Sequence, residues 1–163
     1  MDERRTRNSL RKTLAGVFPD RYENITKKKV YIITGAPGAG KTTYVQDHKS
    51  SKDLVVDLDY LCAALNATNN LYQDHEPVLS VALQIQERLY QIIEDLDGKW
   101  ETAWVITASS NRHAVRELAR RLGGEVIPID TPLDQCVRNI QSDSRRTGSK
   151  DRMIGLAQKY FSA

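Results

Sequence analysis

The stretch "GAPGAGKT", Gly35 to Thr42, carries the most specific chemical signal in the chain. It fills every fixed position of G-x-x-x-x-G-K-[ST], with an apolar, β-rich run before it and a helical pattern after it. Glycines let successive backbone N–H groups turn inward as an anion nest, and the positive end of the following helix adds to the field. Lys41 would reach the β- and γ-phosphates of a nucleoside triphosphate. The Thr42 hydroxyl would offer Mg²⁺ the hard oxygen it needs. The nucleotide-binding stretch thus comprises Gly35, Ala36, Pro37, Gly38, Ala39, Gly40, Lys41, Thr42 and Thr43, with ATP and Mg²⁺ as the expected ligands.

A second signal lies in "VVDLDY", where Asp57 and Asp59 close an apolar run. A P-loop needs a further acid near the metal, usually at a neighbouring strand end. The third apolar run, "WVITASSN", ends without Asp or Glu, so the acids available are these two. Asp57 is the expected second metal contact, and Asp59 the group that accepts a hydroxyl proton. Period-two spacing places both on one side if the chain stays extended. Asp59 before "YLCAAL" is also well placed as a helix N-cap.

These residues need a scaffold, and the pattern from Val30 onward supplies one. "KVYIIT" (29–34), "DLVVDLD" (53–59), "TAWVITA" (102–108) and "EVIPID" (125–130) read as strands, each followed by a helical segment. Val78, Val81, Ala82, Ile85, Leu89, Ile92, Ile93 and Leu96 mark one apolar face of a long helix, with Pro77 in its first turn. Shorter helices follow at 114–122, closed by Gly123 and Gly124, at 133–140, and at the end of the chain. Strand–helix alternation implies a parallel sheet covered on both faces, with ligands beyond the C-terminal strand ends.

A length of 163 residues suits one domain with one core. No apolar run is long enough to span a membrane, and the N-terminus lacks the apolar core of a secretory signal. Cys62 and Cys136 sit among apolar neighbours and read as reduced core residues, which points to a cytoplasmic setting. His48, His75 and His113 form no metal-ligand pattern. The formal charge is +3 and uneven: residues 1–28 hold eight Lys/Arg against four Asp/Glu, so the rest of the chain is slightly acidic. The sequence therefore divides into a basic leader (1–28), with a short helix over 9–17, and a compact domain (29–163). The leader is either a solvated arm or a nucleic-acid contact.

The P-loop, the D-x-D on the second strand and the acid-free third strand resemble the small P-loop kinases, including shikimate and gluconate kinases. The segment 129–161, "IDTPLDQCVRNIQSDSRRTGSKDRMIGLAQKYF", looks closer to the kinase domain of phage polynucleotide 5′-kinases and the zeta-toxin-like kinases. The resemblance spans residues 29–161. It implies an α/β P-loop three-layer sandwich with strand order 2-3-1-4 and a short arginine-bearing lid near 142–150. It also implies transfer of the γ-phosphoryl of ATP to a hydroxyl acceptor. That acceptor is a nucleic-acid 5′-hydroxyl, a nucleotide, a nucleoside or another small metabolite. By the same resemblance Arg138 lies against the nucleotide, and Arg145 or Arg146 neutralises charge on the transferring group. Tyr72, Asp74 and His75 lie where related kinases build an acceptor pocket; Arg88 on the long helix is a further candidate for that pocket, and Arg112, just after the third strand, is either a substrate-facing residue or an exposed helix start. One departure is "DLDYLCAAL", which lacks the arginine of the polynucleotide kinases. The rival reading is a P-loop NTPase that serves as a nucleotide-driven accessory or nucleic-acid-binding protein.

Overall fold

The computed structural model describes residues 27–72 and 75–162. Four strands, β1 (Lys29–Thr34), β2 (Leu54–Val56), β3 (Thr102–Thr107) and β4 (Glu125–Pro128), form a parallel sheet in the order β2-β3-β1-β4. This is the P-loop sandwich order expected from the sequence. Among the described residues the helices that connect and follow the strands are α1 (Lys41–His48), α2 (Leu58–Leu65), α3 (Glu76–Glu94), α4 (Arg112–Leu122), α5 (Leu133–Ser142) and α6 (Lys150–Phe161).

Strand alternation sorts the core into two layers. Val30, Ile32, Val56, Ala103 and Val105 face α3 and α4, meeting Ile93, Val115, Ala119 and Leu122. On the opposite face, Ile33, Trp104 and Ile106 pack on Val45 of α1. A third cluster, Ala36, Ala39 and Cys136, seats the P-loop on α5. Both cysteines are buried and unpaired, as expected. No helix among the described residues is long and apolar enough to cross a membrane. The leader expected to be basic, with its helix over 9–17, lies outside the described residues except for Lys27 and Lys28.

Two expectations need correction. The second strand does not run to residue 59; it stops at Val56. Asp57 has extended backbone angles but caps α2, its carboxylate accepting the Asp59 N–H at 3.0 Å. The residue that caps is therefore Asp57, and Asp59 lies in the first helical turn. A local side-chain bond to an otherwise unsatisfied helix N–H wins over continued pairing. On α3, Val81 is 46% exposed and lies off the buried face. The inward line runs through Ala82, Gln86, Leu89, Tyr90 and Ile93, of which Ala82 and Ile93 are fully buried.

Candidate active site

Beyond the C-terminal strand ends lies a cavity of about 940 Å³, at the upper end of the range for small-ligand sites. Its floor is the P-loop. Gly38 and Gly40 have φ of 79° and 95°, a region that disfavours any side chain. A Cβ on Gly38 would lie 2.5 Å from the Cys136 carbonyl oxygen and 2.8 Å from Ile140. The loop therefore rests directly on α5, and two polar side chains fasten it there. Asn139 Nδ2 donates to the Gly38 carbonyl at 2.9 Å, and Thr131 Oγ1 to the Ala39 carbonyl at 2.8 Å.

Lys41 is folded back over this loop. Its ammonium donates to the carbonyls of Gly35 and Ala36 at 2.8 and 2.9 Å. Burial pushes its pKa down to about 8, against the pull of Asp57 and Asp59. Beside it, Thr42 Oγ1 donates to Asp57 Oδ2 at 3.4 Å. Burial, with Asp59 nearby, raises the Asp57 carboxyl to about 6. Burial also raises Asp59, opposed by the charges of Arg146, His75 and Lys41.

This arrangement fits Mg²⁺. A hydroxyl and a carboxylate stand side by side as hard oxygen donors, with a second carboxyl two residues on. The cradle above Gly38 and Gly40, with Lys41 at its lip, fits a polyphosphate.

The two lid arginines have different surroundings. Arg145 is 61% exposed and grips Asp143 through Nε and Nη2 at 2.8 and 2.9 Å. Arg146 is 9% exposed; its Nε reaches Asp143 at 3.3 Å, and its guanidinium lies 3.7 Å from the Tyr72 ring centroid. Its Nη1 is buried and has no hydrogen-bond partner among the described residues. A buried guanidinium nitrogen without an acceptor, in a cavity that suits polyphosphate, is poised for an anionic oxygen.

The other expected residues are placed less centrally. Arg138 is exposed on α5, bonded to Gln135 and paired with Asp134 at 2.8 Å, and the cavity lining does not include it. Arg88 is exposed and donates to Gln91, and Arg112 is exposed at the start of α4; neither lines the cavity. His75 ties the loop after α2, its ring nitrogens contacting Leu71 O at 2.9 Å and Asn66 Nδ2 at 3.1 Å. Asp74 lies outside the described residues. Tyr72 does line the cavity, joined by Leu58, Gln86 and Tyr90, which sequence reasoning passed over. The available signal for Gln86 was a carboxamide standing in line with Ala82 and Tyr90 on an apolar helix face.

A family model described as an AAA domain matches residues 30–157. Among solved structures, shikimate kinase from Acinetobacter baumannii in complex with shikimate aligns over 82% of this chain and 74% of that one. The sequence identity is 14% and the TM-score 0.48. No curated protein matches the chain.

Proposed function

The chain belongs to this AAA domain family, and from that premise we propose that it is an ATP- and Mg²⁺-dependent phosphotransferase acting on a hydroxyl acceptor. The observation that carries this reading is the gathering of Lys41, the Thr42–Asp57 pair, Asp59 and Arg146 around one cavity. A phosphoryl transfer needs phosphate binding, metal ligands, a proton acceptor and a cation for the moving charge, and these are the groups that would supply them.

Thr42 and Asp57 would hold Mg²⁺, which when bound supplies positive charge to the triphosphate. The P-loop amides and Lys41 hold the phosphates; Lys41 would exchange its bonds to Gly35 and Ala36 for phosphate oxygens. The acceptor hydroxyl oxygen bonds to the γ-phosphorus as the bond from that phosphorus to the β–γ bridging oxygen breaks, and ADP leaves. The hydroxyl proton passes to Asp59, which burial makes a stronger base than an exposed carboxylate. Arg146 offers Nη1 to the transferring group, while Arg145 holds Asp143 and so the shape of the lid.

The test is transfer from γ-³²P-ATP to hydroxyl acceptors by wild type, Lys41→Ala and Asp59→Asn. Label on an acceptor in wild type, lost in both variants, supports the assignment. Free phosphate alone, released equally by wild type and Asp59→Asn, would replace it with an NTPase.

A further inference from the structure

The acceptor half of the cavity, between Asp59 and α3, has a composition that selects among acceptor classes. The cavity lining includes Leu58, Tyr72, Gln86 and Tyr90. Among the described residues lining the cavity, the cations are Lys41, Arg145 and Arg146. Lys41 belongs to the P-loop. Arg145 is held in two hydrogen bonds by Asp143. Arg146 is stacked on Tyr72, and its charge acts on Asp59. Arg88 and Arg112 are absent from the lining. An anionic group bound beside Leu58 and α3 would find only Arg146 Nη1 open to it among the described residues, the donor assigned above to the transferring phosphoryl group, and Asp57 and Asp59 would repel it.

The polar groups on this wall are neutral. The Gln86 carboxamide and the Tyr90 hydroxyl have no hydrogen-bond partner among the described residues, although both side chains are half-buried. They stand one helical turn apart on the inward line of α3, which fixes their spacing rigidly. A carboxamide offers a donor and an acceptor side by side, the complement of an amide-like or amidine-like edge on a planar heterocycle. The Leu58 side chain, with the parts of the Tyr72 and Tyr90 rings left open by Arg146 and Arg121, supplies apolar and aromatic surface for the body of such a ring. A simple polyol would leave that surface against hydroxyls.

We infer that the acceptor is a nucleoside: an uncharged molecule whose planar base is read by Gln86 and Tyr90 while a sugar hydroxyl faces Asp59. This rests on the phosphotransferase reading above. The transfer is balanced as written there, the nucleoside hydroxyl oxygen gaining the phosphoryl group, ATP becoming ADP and the proton passing to Asp59.

The experiment offers wild type four acceptor classes with γ-³²P-ATP and Mg²⁺: the common ribo- and deoxyribonucleosides, nucleoside 3′-monophosphates, gluconate, and a 5′-hydroxyl oligonucleotide. In parallel, calorimetry measures nucleoside binding in the presence of a non-hydrolysable ATP analogue, for wild type, Gln86→Leu and Tyr90→Phe. Expected are label on a nucleoside and about a tenfold weaker nucleoside binding in Gln86→Leu. A smaller loss is expected in Tyr90→Phe, with affinity for the ATP analogue retained in both. Both substitutions are at cavity-lining positions, and an unchanged melting temperature confirms that the effect is local. Label only on the monophosphates, gluconate or the oligonucleotide overturns the nucleoside assignment and leaves the kinase standing. Label on no acceptor, with free phosphate released equally by wild type and Asp59→Asn, overturns the kinase reading and this inference with it. Nucleoside binding indifferent to both α3 substitutions also overturns the assignment of Gln86 and Tyr90.

Discussion

The Arg146 guanidinium lies face-on to Tyr72, 3.7 Å from its ring centroid, while the neighbouring Arg145 stands 5.1 Å away and exposed. Tyr72 belongs to the loop after α2 and the arginines to the segment between α5 and α6, so one aromatic ring joins these two segments across the cavity rim. Stacking fixes the plane of the guanidinium while leaving Nη1 without a partner. Arg146→Ala is therefore expected to lower kcat by about 10²–10³-fold, the scale for losing a donor that acts on developing charge. Arg145→Ala should change it only several-fold, and Arg146→Lys should not rescue, because an ammonium cannot stack as a plane. Steady-state kinetics of phosphoryl transfer separate the two residues.

The P-loop allows folding and nucleotide binding to be separated. Gly38→Ala combines a positive φ with a Cβ 2.5 Å from a backbone carbonyl, so α5 must move. A loss of roughly 1–3 kcal/mol of stability is expected from such overpacking, read by urea denaturation. Lys41→Ala should leave stability near wild type, because the buried ammonium gains little in the folded chain, while ATP binding measured by calorimetry is lost.

Asp57 has two roles that two substitutions distinguish. Asn caps helices as well as Asp does, so Asp57→Asn should keep α2 and raise the Mg²⁺ concentration needed for half-maximal activity. Asp57→Ala loses the cap as well, and should be less stable than the Asn variant by about 1 kcal/mol. Metal titrations and denaturation curves on both proteins check this.

Asp53 should contribute to the acid limb of stability. Burial opposes its ionisation, but Trp104 Nε1, the Ser50 N–H and hydroxyl, and the Thr102 N–H donate to it, and together they hold its pKa below the ordinary value. A carboxyl depressed in the folded state contributes stability that is fully present above the unfolded value, about 3.9, and is lost as pH falls through the folded one. Urea midpoints followed by tryptophan fluorescence should fall below about pH 4 in wild type and fall less steeply in Asp53→Asn.

Much of the scaffold was legible because it rests on local and periodic signals. The P-loop residues, β1, the strand alternation and the closing Gly123 of α4 each follow from spacing or from a backbone angle that few residues accept. The resemblance supplied the strand order. Where reading failed, two local rules competed. "DLD" satisfied the two-residue period of a strand and also the rule for a helix start, and the Asp57–Asp59 hydrogen bond decided for the helix.

By itself the sequence determined the phosphate cradle, the acids beside it and the kind of sheet that carries them, because each depends on residues within a few positions of one another. Tertiary structure decided which of two adjacent arginines is buried against Tyr72, that Arg138 and Arg88 point away from the cavity lining, and that Gln86 and Tyr90 face it. Those outcomes depend on the packing of α3, α5 and the lid around one space, and side chains distant in sequence meet there only after the sheet has formed.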